Sequence, residues 1–115
     1  DAPIFLYAVI LLMKAEAILR GGTATNGQTA LSLTNMVRSN RSTSPAWASV
    51  TLDDLYSERA REFTWECWRR NDMIRFGKYE TAYGFKTNAD TYRRIFPIPT
   101  GAMNTNPKLI QNPGY

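Results

Sequence analysis

Ile4-Phe5-Leu6-Tyr7-Ala8-Val9-Ile10-Leu11-Leu12-Met13-Lys14-Ala15-Glu16-Ala17-Ile18-Leu19-Arg20 is the stretch on which the fold turns. Ala8, Leu11, Leu12, Ala15, Ile18 and Leu19 fall at the i, i+3, i+4, i+7 spacing of one helix face. Phe5, Leu6, Val9, Ile10 and Met13 occupy the other faces, so the helix is apolar nearly all round. Such a helix must be covered on nearly all sides. The rest of a 115-residue chain supplies part of that cover, so the sequence reads as a piece of something larger, or as one that packs on a partner. Lys14 and Glu16 end the apolar run well short of the ~20 residues that a membrane-spanning helix needs. A secretory signal cleaved after Ala15-Glu16-Ala17 would need a basic leader, and Asp1 is acidic.

Outward from this helix, Gly21-Gly22 supplies a left-handed C-terminal cap, and Thr23 to Gly27 is a polar turn. A second helix follows over about Gln28 to Ser39, with Ala30, Leu33, Met36 and Val37 on one stripe. The pair makes a helical hairpin over about 4–39, close to the 34-residue period of tetratricopeptide units, which rely on neighbouring repeats to bury their faces. Asn40 to Ser49 is a Ser/Arg/Pro loop holding Trp47. A charged helical block spans about 51–77: Thr51 and Asp54 form a capping-box variant, the third helix runs on to about Trp68, and a short helix from Asn71-Asp72 ends at Gly77. Residues 78–115 read as an irregular tail, with Tyr83-Gly84-Phe85 in a loop, Ile95-Phe96-Pro97-Ile98-Pro99 extended, and turn formers at Asn106-Pro107 and Asn112-Pro113-Gly114. The fold class is therefore mainly α, a tetratricopeptide-like hairpin followed by an irregular C-terminal segment.

Glu58, Glu62 and Glu66 are spaced i, i+4, i+8, which would line them along one face. Paired carboxylates suit a glycosidase, with Glu62 and Glu66 as the pair. The same segment supplies Arg59, Arg61, Arg69 and Arg70, and Glu66 stands at contact spacing from Arg69 and Arg70. The stronger reading is a structural ion network of Glu58, Arg59, Glu62, Glu66, Arg69, Asp72 and Arg75, partly buried beside Phe63 and Trp65.

Trp47 sits in a loop of small and polar residues, where no periodicity asks for a large ring. Aromatic faces stack on the apolar C–H face of sugar rings, so Trp47 is a glycan-contact candidate, with Tyr79 and Tyr83 beside it. The alternative is that Trp47 pins its loop onto the helices. Trp65 and Trp68, three apart, are read as buried or stacked on arginines, and Cys67 between them as a buried, inert thiol.

Composition removes several classes of chemistry. Histidine is absent and Cys67 is the single cysteine, which excludes a histidine triad, a histidine-containing zinc set and an intrachain disulfide within these residues. No metal site and no cofactor are expected. A net charge of +4 is weak evidence for nucleic acid without a recognised motif, despite Arg69-Arg70 and Arg93-Arg94 near aromatic residues.

Four blocks together resemble one family. Phe5 to Ala17 is similar to a helix that reads RYADVLLMKAEA in SusD/RagB proteins. Glu58-Arg59-x-Arg61-Glu62-Phe63, continued by Trp65-Glu66-x-Trp68-Arg69-Arg70-x-Asp72-x-Ile74-Arg75-Phe76-Gly77-Lys78, is similar to that family's most distinctive segment. Phe96-Pro97-Ile98-Pro99, and Asn106-Pro107 through Gln111-Asn112-Pro113-Gly114-Tyr115, look like its closing segment. Leu6, Val9 and Cys67 depart from the family's usual arginine, acidic residue and glycine. Because Leu6 and Val9 are three apart on one face, a charge pair is replaced by an apolar pair.

The resemblance implies the C-terminal region of a surface-exposed outer-membrane lipoprotein of Bacteroidota, ending near Tyr115. Such proteins are non-catalytic, bind glycans or other nutrients, and act with a SusC-like TonB-dependent barrel transporter in polysaccharide utilization. Signal peptide, lipid-bearing cysteine and most of the ligand-binding surface would lie upstream, and Cys67, read as helical and interior, would not carry the lipid. A helical-repeat interaction scaffold is the alternative function.

Overall fold

The computed structural model describes residues 6–41 and 45–115. The expected helix start at Ile4-Phe5 and loop residues Ser42, Thr43 and Ser44 lie outside the described residues. Among those described, five α-helices and one 3-10 helix are present and no strand. The chain divides into two compact units, residues 1–69 and 70–115.

The first unit is built on three helices: α1 (Tyr7–Leu19), α2 (Ala30–Ser39) and α3 (Leu52–Glu62). Helix α1 stops as its sequence requires. The amide of Gly21, at φ 100°, donates to Ile18, and that of Gly22 donates to Ala17. These two bonds satisfy carbonyls that the helix leaves open. A β-carbon on Gly22 would meet the Ala17 carbonyl oxygen at 2.7 Å, so glycine is required there. The turn reverses through Asn26 and Gly27, both left-handed. Lys14 reaches from α1 to the Gln28 side chain at 2.6 Å. Capping boxes open the next two helices, Thr29 with Ser32 at α2 and Thr51 with Asp54 at α3. Each cap of this kind contributes about 1 kcal/mol.

Val9, Leu12 and Ala15 of α1 meet Leu33 and Val37 of α2 and Leu55 and Phe63 of the α3 segment in the buried core. A fully buried Val or Leu there contributes roughly 1.5–3 kcal/mol. Val9 is fully buried and Leu6 packs on the same core, so both apolar side chains are well placed. The opposite face of α1, with Tyr7, Ile10 and Met13, stays exposed.

Four expectations for the charged block need correction. Helix α3 ends at Glu62 rather than near Trp68, because the chain reverses through Trp65 at φ 69° and Cys67 at φ 60°. Glu66 therefore leaves the α3 face, lies exposed in the turn, and makes none of the expected pairs with Arg69 or Arg70. Cys67 is exposed and outside any helix, not buried, and its left-handed backbone gives the reason a glycine suits that position. Trp68 is partly buried against the core, whereas Trp65 is 96% exposed.

Helix α4 (Arg69–Arg75) leads into the second unit and ends at left-handed Gly77, where the Lys78 amide donates to Met73 and the Gly77 amide to Ile74. Beyond it, an isolated bridge pairs Tyr83 with Lys86 around Gly84-Phe85. The tail is less irregular than its composition suggests: a 3-10 turn at Thr91–Arg94 and a short helix α5 (Thr100–Thr105) interrupt it. Side chains fold its end back. The Gln111 amide both accepts from the Ile98 N–H (2.8 Å) and donates to the Ile98 carbonyl (2.9 Å), as a neighbouring strand would. Asn112 donates to the Phe96 carbonyl, the Tyr115 hydroxyl to that of Ile95, and Arg70 to those of Arg93 and Arg94.

Candidate functional site

In the first unit the charges and Trp47 form one assembly. Glu58 of α3 accepts from Arg38 of α2 and, at 2.6 Å, from Arg61. Arg38 also donates to the Pro45 carbonyl at 3.0 Å and lies 4.0 Å from the centroid of the Trp47 ring. Asn35 fixes the Trp47 backbone through both its amide atoms, at 2.8 and 2.9 Å. Trp47 is thus half-buried and held by α2, with its ring against a guanidinium. This geometry favours the loop-pinning role over an open platform for a sugar.

Glu62 is bonded by Arg41 through two contacts, and its carboxylate holds the exposed Arg41 guanidinium above its ordinary pKa by hydrogen bonding and charge. Glu58 and Glu62 are thus both paired with arginines, which come from α2, the following loop and, for Glu58, also from Arg61 of α3. Arg59 is buried, with its guanidinium 5.1 Å from the Phe63 ring centroid. Arg69 belongs elsewhere: it donates to the Tyr56 carbonyl at 3.2 Å and stacks 3.8 Å from the Tyr56 ring centroid. Asp72 pairs with Arg75 at 2.7 Å on α4. Sequence reasoning missed Arg38 and Arg41 because they lie about 20 residues from their glutamates, with no local spacing to signal the pairing.

A cavity of about 480 Å³ opens beside the Trp65–Cys67 reversal, lined by Arg59, Ala60, Phe63, Trp65, Cys67 and Arg69. In the second unit, Tyr79 and Tyr83 are brought together around Lys86, whose ammonium lies 5.5 and 5.9 Å from their ring centroids. Tyr83 is 57% exposed, and the neighbouring Phe85, which the sequence reading had not singled out, is fully exposed at the turn. Gly84 between two aromatic residues was the available signal. Glu80 receives two bonds from Arg94 (2.6 and 2.9 Å), and that hydrogen bonding holds its carboxyl below the usual glutamate range.

Among the described residues, no group of three His, Cys, Asp or Glu side chains is arranged to hold a metal ion. No helix among them is long and apolar enough to cross a membrane. What this chain offers chemically is aromatic surface beside fixed cations.

Comparison with known proteins gives one consistent answer. The profile described as the SusD family matches residues 1–94. The starch-binding protein SusD of Bacteroides thetaiotaomicron is 34% identical, over 100% of this chain and 22% of its own length. Two SusD-like proteins of Formosa agariphila are each 32% identical, over 97% of this chain and 24% of theirs. The chain thus spans about a quarter or less of the relatives it matches. With the helical architecture and a profile match over most of its length, the chain belongs to the SusD family.

Proposed function

We propose that this chain is the C-terminal region of a non-catalytic, glycan-binding component of an outer-membrane uptake system, acting with a SusC-like TonB-dependent barrel transporter. The observation that carries the reading is the match, from end to end of this chain, to a starch-binding protein. The chemistry of the site supports it. Glu58 and Glu62, the carboxylates nearest a glycosidase arrangement, are engaged by arginines, and Glu66 stands apart from them in the turn. Trp47, Tyr79 and Tyr83 are this chain's candidate ligand contacts, and of these Tyr83 is the most open.

The test is affinity electrophoresis of the full-length protein in gels containing starch or other polysaccharides. Retardation by at least one glycan is expected, and indifference to all of them defeats the reading. Protease shaving of intact cells should remove the protein from the surface, and purification from detergent-solubilised membranes should bring down a barrel transporter. Recovery with a soluble protein instead would favour the scaffold reading.

A further inference from the structure

The formal charge of this chain is unevenly placed. Residues 1–69 carry seven Lys and Arg against seven Asp and Glu, whereas residues 70–115 carry seven against three, so the whole +4 falls in the second unit. Each of the three carboxylates there is held by an arginine, Asp72 by Arg75 (2.7 Å), Glu80 by Arg94 (2.6 Å) and Asp90 by Arg93 (3.0 Å). Lys86 belongs to the excess, and it stands at the aromatic turn. Gly84, left-handed at φ 51°, lets Tyr83 and Lys86 exchange both backbone hydrogen bonds (3.2 and 2.9 Å), which fixes that turn. The Lys86 ammonium donates to the Asn88 carbonyl at 2.5 Å and rests against the Tyr79 and Tyr83 rings. An ammonium has three donors, so the others can meet incoming oxygens. Tyr83 and Phe85 beside it are exposed aromatic surface.

We propose that this turn is a contact site for an acidic glycan, whose sugar ring lies on the exposed aromatic surface and whose carboxylate or sulfate meets the Lys86 ammonium. The inference rests on the glycan-binding reading and names the class of glycan. A neutral sugar would use the rings and leave the cation without a counter-charge, whereas an anionic one uses both. Hydrogen bonds to an ionised group are roughly twice as strong as neutral ones. The Asn88 carbonyl and the two rings place the ammonium before any ligand arrives, so little ordering is left to be done on binding. The carboxylates of the second unit are already engaged by arginines, which limits their repulsion of an anion. The positive excess of the unit favours the approach of an anion, and salt weakens that attraction.

The test is isothermal titration calorimetry of the full-length protein with two matched pairs, polygalacturonate against its methyl ester and dextran sulfate against dextran. Tighter binding of the acidic member of at least one pair is expected, weakening as salt is added. A preference for polygalacturonate alone assigns the anionic group as carboxylate, and one for dextran sulfate alone assigns it as sulfate; either supports the proposal. Lys86→Gln should reduce the preference by about fivefold, and Lys86→Arg should retain it. Lys108→Gln, which removes the same charge from an exposed position elsewhere in the second unit, should leave it unchanged. Equal reductions in Lys86→Gln and Lys108→Gln would show diffuse charge attraction and overturn the site. Failure of both acidic glycans to bind, or to bind more tightly than their neutral counterparts, overturns it as well. The glycan-binding reading is then judged separately, by gel retardation with neutral polysaccharides.

Discussion

Arg38 of α2 and Glu58 of α3 form an ion pair whose side chains are only 7% and 4% exposed, and it joins two helices separated by a loop. Two charges taken out of water are held there by one another, by Arg61 and by the Pro45 carbonyl. Removing one partner leaves the other buried and uncompensated, which costs about 3–5 kcal/mol. Glu58→Ala should therefore lower Tm sharply in thermal denaturation. Arg38→Met combined with Glu58→Leu should recover much of the loss, because an apolar pair carries no desolvation penalty. Equal losses in the single and double variants would show that the pair does not act as a unit.

The Trp65–Cys67 reversal makes the opposite prediction. A non-glycine residue in the left-handed region costs about 1–3 kcal/mol, and Cys67 is exposed, so its side chain contributes little burial in return. Cys67→Gly should raise stability by about 1 kcal/mol, whereas Cys67→Ala should leave the strain in place. Differential scanning calorimetry of the two variants separates relief of strain from loss of the thiol.

The aromatic candidates should divide by readout. Trp47→Ala removes a ring packed against Arg38 and is expected to lower Tm, with glycan affinity changed by no more than about twofold. Tyr83→Ala removes an exposed ring, so Tm should hold while affinity for the retarding polysaccharide falls. Unchanged affinity in Tyr83→Ala, measured by isothermal titration calorimetry, would remove Tyr83 from the contact surface.

The second unit should be sensitive to acid through Glu80. Its folded carboxyl is held below the ordinary value of 4.5 by Arg94, so folding favours the ionised form. That contribution is complete above the ordinary value and is lost as pH falls through the lowered one. Glu80→Gln should flatten the fall of Tm below about pH 4.5, and an unaltered slope would place the acid sensitivity elsewhere.

Sequence made the local features legible. The Thr51–Asp54 box, the glycine-capped end of α1 and the hairpin of α1 and α2 follow from spacing and backbone preference, and all are present. The glutamates at 58 and 62 were legible as ion-pair members, but their partners in space, Arg38 and Arg41, were not, since pairing across a loop leaves no periodic trace. The end of α3 was misread for a different reason. Nothing in the identities of Trp65 and Cys67 announces a left-handed backbone, and helical spacing carried the reading past Glu62. In the tail, prolines and asparagines masked α5. For the candidate site, its place in a polar loop singles out Trp47, but spacing does not show that a guanidinium lies against its ring.

The fold-back of Gln111 onto Ile98 has a consequence for how this protein ages and varies. A strand partner built from main chain tolerates almost any side chain, but a single carboxamide doing that job does not. Deamidation at 111 would erase its N–H donor while leaving a repulsive oxygen beside a carbonyl, loosening the hold on Ile98. Local release of the segment around 98 and 111, rather than global unfolding, is the form of damage to which this fold-back is disposed.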